Sequence, residues 1–197
     1  MSQFRSLPLY PLPTSASYFE PLQELPAHVK ENSPAILVLT DLRQQMAITI
    51  EPGVSIDWAL KRMKTVGVRL LFVVGTEKEV LGIITSSDIQ GEKPVRLHTE
   101  LGLRRAEMVV RDIMTSREEL EALNIDDVLN ASVGDIIATL CSVGRRHALV
   151  LDDEPRYGQP AIRGIFSASQ ISKQIGRPID IPGAATTFAE LEVALNR

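Results

Sequence analysis

Apolar residues along this chain fall into short continuous runs alternating with stretches of helical period. The run AILVL (35–39) has strand length, and MAITI (46–50) reads as a second short strand. Pro52-Gly53 then turns the chain and Ser55 is placed to cap a helix. Ile56, Ala59, Leu60 and Met63 recur at helical spacing, so SIDWALKRMKTVG (55–67) is expected to form an amphipathic helix stopped by Gly67. RLLFVV (69–74) and EVLGII (79–84) follow as two strands around the polar turn GTEKE, and Thr85 opens a short helix.

The second half replays this order. TVGVRLLFVV (65–74) aligns without a gap on SVGRRHALVL (142–151), a shift of 77 residues. The same shift sets Ile56 on Val133, Ala59 on Ile136, Gly67 on Gly144 and Arg69 on Arg146. GIITSSD (82–88) finds its partner in GIFSASQ (164–170), where the shift has grown to 82. The loop DDEPRYGQPA therefore holds five extra residues. Each half reads strand, helix, strand, strand, helix, with a further helical turn expected at REELEAL (117–123) between them. One such unit has a small core, so two are expected to pack together and bury each other's apolar faces. The helix SVGDIIATLCSVG (132–144) is apolar almost all round, as for a helix between layers.

These patterns divide the chain into five segments. Residues 1–33 form a proline-rich arm, 34–92 a first unit, 93–112 a linker and 113–177 a second unit. Residues 178–197 form a terminal link with an amphipathic helix, TFAELEVALN.

Composition narrows the function more than the fold. A formal net charge of −4 over 197 residues gives no electrostatic reason to expect nucleic acid or an anionic membrane. No apolar run approaches the roughly 20 residues of a membrane span. The N-terminus does not read as a signal peptide, and one cysteine, Cys141, excludes an intrachain disulfide and suits a reducing cytoplasm. The three histidines lack zinc spacing, and the acids Asp152-Asp153-Glu154 read as a solvated loop, so no metal site is expected. No nucleophile elbow, P-loop or dinucleotide fingerprint occurs, and nothing argues for catalysis.

From about residue 35 to 176 the chain resembles a tandem pair of cystathionine-β-synthase (CBS) domains, the arrangement called a Bateman module. The resemblance rests on the doubled element order, on the signature Gly82, Ile83, Ile84, Thr85 and Asp88, and on VRDIMT entering the second copy. It implies an α+β fold of two pseudo-symmetric β-α-β-β-α units packed through their sheets. It also implies a non-catalytic regulatory module needing no cofactor, with an adenosine nucleotide (AMP, ADP, ATP or S-adenosylmethionine) in the cleft between units. A homodimer and an unidentified protein partner follow on the same resemblance.

The family's ribose-binding acid falls on Asp88 and its phosphate-side hydroxyl on Thr85; in the second copy the hydroxyl falls on Ser167, but the acid position holds Gln170. A carboxylate can accept from both hydroxyls of a ribose diol at once. A hydroxyl at a helix start can join backbone N–H groups and the helix dipole in holding phosphate. Arg69 and Arg146, opening equivalent strands, are candidates to reach a phosphate, and Gly82 leaves room for a ligand or for a neighbouring backbone. Both copies equally fit a capping box, Thr85 with Asp88 and Ser167 with Gln170, because Gln can play the acid's part. Capping alone would support a second reading, a ligand-free dimerisation platform. Trp58 is expected at a helix interface, and His147 in packing or hydrogen bonding.

Overall fold

The computed structural model describes residues 23–153 and 160–182. The arm up to residue 22, loop residues 154–159 and the expected C-terminal helix lie outside the described residues. The elements run β1 (Thr40–Asp41), β2 (Thr49–Ile50), α1 (Ile56–Val66), β3 (Leu70–Val74), β4 (Val80–Thr85), α2 (Ser86–Gln90) and α3 (Glu92–Leu101). They continue with α4 (Val110–Ile113), β5 (Thr115–Ser116), β6 (Ala122–Asn124), α5 (Ile125–Asn130), α6 (Val133–Val143), β7 (His147–Asp152), β8 (Ala161–Ser167) and α7 (Ala168–Ile175). Two four-stranded sheets result, ordered β2-β3-β4-β5 and β1-β8-β7-β6.

The repeated helices form for the reasons the sequence advertises. Ser55 accepts from the Trp58 N–H at the start of α1, and Ser132 forms a capping box with Asp135 at the start of α6. Each helix buries one face, Ile56, Ala59 and Met63 in α1 and Val133, Ile136 and Leu140 in α6. Both end on a left-handed glycine, Gly67 (φ 75°) and Gly144 (φ 64°), which releases the chain into β3 or β7. The hairpins share even their irregularity, with register shifts between Val73 and Val74 and between Val150 and Leu151.

The halves exchange their leading segments. β1 pairs with β8 of the second sheet, and β5 pairs with β4 of the first. Pro34 bridges to Ser132 at the cap of α6, while Val109 bridges to Ser55 at the cap of α1. The run AILVL is correspondingly not a strand. Ala35–Val38 is a 3-10 helix, and Ala35, Val38 and Leu39 are fully buried in the second core beside Ile136, Leu140 and Phe166. A short apolar run suits any buried element, and here tertiary contacts chose the helix. MAITI contributes only Thr49–Ile50 to a strand, and REELEAL divides into a 3-10 turn at Arg117–Glu119 and strand β6.

Each sheet carries a helix-side core, and a third cluster joins the sheets: Leu70, Phe72, Ile83 and Leu149 with Leu42, Leu120 and Ile165 around them. Burial of each large side chain there contributes about 2 kcal/mol, which makes the sheet–sheet contact a core rather than a loose interface. The close seams at its edges depend on glycine. A Cβ on Gly82 would collide with the Thr115 carbonyl oxygen, and one on Gly164 would lie 2.6 Å from that of Thr40.

The two edge seams are fastened differently. On β8, Arg163 donates through Nε and Nη2 to both carboxylate oxygens of Asp41 at 2.8 Å, and through Nη1 to Asp152 at 3.1 Å. Arg43 joins Asp152 at 3.0 Å. The Arg163 guanidinium holds the buried Asp41 carboxyl below its usual range. With the shift of 82, the residue matching Arg163 in the first half is Leu81, so no such ionic fastener is present there among the described residues.

Candidate functional site

Two clefts related by the internal repeat open between the units. Thr85 and Asp88 line the first, together with Ser87 of α2 and with Ile83 and Thr115 from the first sheet. The facing wall is Gly144, Arg145, Arg146 and His147 from the second unit. Ser167 and Gln170 line the second cleft, faced by Gly67, Val68 and Arg69 from the first unit. The αL glycines that end α1 and α6 thus deliver Arg69 and Arg146 to opposite clefts. Six of the seven residues singled out from the sequence line a cleft: Asp88, Thr85 and Arg146 in one, Ser167, Gln170 and Arg69 in the other. Gly82 lies under β5, where its lack of a side chain serves the strand seam.

In the first cleft the capping box is formed. Asp88 Oδ2 accepts from the Thr85 N–H at 2.8 Å and from Thr85 Oγ1 at 2.6 Å, while Thr85 Oγ1 accepts from the Asp88 N–H at 3.2 Å. Asp88 Oδ1 faces Lys93 Nζ at 2.7 Å. Helix α2 is only five residues long, so its dipole adds little to phosphate binding and the arginines opposite are the better cations for that task. Across the mouth, Arg145 pairs with Glu121 at 3.3 Å. The cavity is about 220 Å³, below the roughly 300–1,000 Å³ usual for a small-molecule site.

The second cleft is larger, about 330 Å³, and chemically different. The expected capping box is absent: Ser167 makes no side-chain bond to the backbone of α7 and instead shares a 3.0 Å hydrogen bond with Ser169 Oγ. A neutral amide lacks the charge that makes the carboxylate an effective cap, and the nearby hydroxyl outcompetes it. Lys173 lies in the wall of this cleft.

Two residues that shape the site were not found by pattern. His147 lines both clefts, where its counterpart in the first half is Leu70. Desolvation pushes its pKa down to about 4, with Asp88 opposing the shift and Arg146 and Arg69 adding to it, so the imidazole is neutral at neutral pH. Lys93 sits on α3, a helix within the segment expected to be a linker. Its signals were present, with Pro94 in the first turn and Gly102 (φ 68°) as the stop. Trp58, by contrast, is outside both clefts, about half exposed, with Arg62 5.6 Å from its ring centroid rather than at a helix interface.

Residues 39–92 match the family model described as CBS domain. The chain carries a CBS domain. The repeat and the exchanged strands extend that unit to the fold of a CBS pair. Among solved structures, an uncharacterized conserved protein from Pyrococcus horikoshii is similar at 23% identity, with 77% of this chain and 98% of that chain covered and a TM-score of 0.53. The CBS domain pair of protein MJ0100, solved with 5-methylthioadenosine and S-adenosyl-L-methionine, matches at 20% identity over 75% of this chain and 98% of that one (TM-score 0.49). CBSX2, solved with AMP, matches at 19% identity over 74% and 98% (TM-score 0.48). No curated protein sequence matches the chain. No helix among the described residues is long and apolar enough to cross a membrane.

Proposed function

We propose that this CBS pair is a non-catalytic regulatory module that binds an adenosine nucleotide in the Asp88 cleft and passes the change to a protein partner. The observation that carries the reading is the pairing of Thr85 and Asp88 with Arg145 and Arg146 across one cavity. A ribose diol donates to the carboxylate, and the phosphate lies toward the guanidinium groups. Binding regulates because a ligand touching both walls favours one spacing of the two units over another.

Titration calorimetry with AMP, ADP, ATP and S-adenosylmethionine tests the reading. Binding weakened about 30-fold by Asp88→Asn supports it, and no heat at millimolar ligand refutes it. A second reading, a ligand-free dimerisation platform, draws on one specific observation: both oxygens of Asp88 already have partners within the chain. Light scattering that finds a dimer, with no thermal shift from any of the four ligands, favours that platform. Within the first reading we place the module in the cytoplasm as a homodimer.

A further inference from the structure

Asp88 has little capacity left for a ligand. Its Oδ2 already accepts two hydrogen bonds from Thr85, which use both lone pairs of that oxygen. Its Oδ1 accepts from Lys93 Nζ at 2.7 Å, leaving one direction open. A vicinal diol needs two acceptor directions, and the ammonium occupies one of them. Lys93 is not committed to Asp88 alone. The same Nζ donates to the Ile113 carbonyl oxygen at 2.9 Å, at the end of α4. Its charge also reaches Glu119, whose carboxyl is held below its usual range first by bonds from Ser116 and further by Lys93. The ammonium therefore has acceptors to keep when it leaves the carboxylate.

Comparison within the chain points the same way. Where the second half replaces the acid with Gln170, the position five residues on, matching Lys93, is Ile175. Acid and ammonium are lost together, as members of one pair.

We propose that Lys93 is a latch on the Asp88 cleft: its ammonium occupies the acceptor that a ligand diol requires, and the Lys93–Asp88 ion pair and diol binding exclude each other. The latch rests on the nucleotide reading and adds a consequence to it. Release leaves Lys93 on the Ile113 carbonyl, two residues before Thr115, where β5 crosses to Gly82. Occupancy of the cleft is thereby felt at the strand exchanged between the halves.

The test compares AMP with 2′,3′-dideoxy-AMP, which carries the same phosphate and base but no diol, on the full chain. The ratio of their affinities cancels any general effect of losing a cation. Lys93→Met, with Lys93→Ala as the substitute if the first does not fold, widens that ratio about tenfold over wild type, the worth of one hydrogen bond to a charged group. In an Asp88→Asn background the same substitution leaves the ratio unchanged. An unchanged or narrowed ratio in Lys93→Met, with AMP still bound through Asp88, overturns the latch and leaves the nucleotide reading standing. Failure of AMP to bind wild type and both Lys93 variants overturns the nucleotide reading and the latch with it.

Discussion

The two clefts of this CBS pair are built by one topology and filled with different chemistry. The Asp88 cleft is the smaller, carries a formed capping box, and holds a carboxylate in contact with an ammonium. The Gln170 cleft is the larger and is neutral at the equivalent position, with its serines bonded to each other. The edge seams differ in the opposite sense. Ionic fastening sits in the second half, at Asp41, Arg163 and Asp152, and the first half has Leu81 in its place. Charge thus lines the cleft in one half and joins the exchanged strand in the other. Duplication of a fold fixes where a cleft lies without fixing what it can bind.

The seam gives the largest expected effect. Arg163→Met strips the nearly buried Asp41 carboxylate of its guanidinium and leaves Asp152 to Arg43, and should cost about 3 kcal/mol, read as a midpoint shift in urea unfolding. Asp41→Asn should cost less, because the arginine keeps Asp152. If Arg163→Met is neutral, the seam is no stronger than that of the first half.

Much of this comparison was legible in the sequence. The repeat, the helices with their serine caps and glycine stops, and the Asp88-to-Gln170 change were all local patterns. The exchange of β1 and β5 was not, because pairing between residues distant in sequence, Thr40 with Ile165 and Gly82 with Ser116, leaves no local trace. Nor did AILVL announce a 3-10 helix, since full burial erases periodicity. Lys93 was hidden because its partner, Asp88, lies across the break at Gly91, on a separate helix. His147 looked like a packing residue until both clefts were seen to share it.

The next predictions work on the clefts. Asp88→Asn should weaken AMP about 30-fold, the worth of hydrogen bonds to a charged acceptor, whereas Gln170→Ala should change it less than about threefold. Installing the missing acid with Gln170→Asp should create a second site, raising calorimetric stoichiometry from one AMP per chain toward two and affinity in that cleft about tenfold. An unaltered stoichiometry would mean that shape, not charge, separates the clefts.

The last prediction concerns His147 and is seen only below neutral pH. Its folded pKa, about 4, lies below its usual value, so the unfolded chain binds the extra proton between about pH 6.5 and 4. Stability should therefore fall as pH drops through that window, and little further below it on account of this group. Asp41, whose pKa is also lowered, adds a loss in the same direction at lower pH, below the ordinary carboxylate value. His147→Leu, which restores the residue of the first half, should flatten the melting temperature between pH 6.5 and 4. A slope equal to that of wild type would take His147 out of the account.

The central claim is that ligand chemistry is confined to the Asp88 half, and calorimetric titration of AMP into the wild-type chain, Asp88→Asn and Gln170→Ala tests it most directly. One AMP per chain is expected, weakened about 30-fold by Asp88→Asn and kept with Gln170→Ala. Two equal sites, or binding that is unchanged in Asp88→Asn and fails with Gln170→Ala, would contradict it.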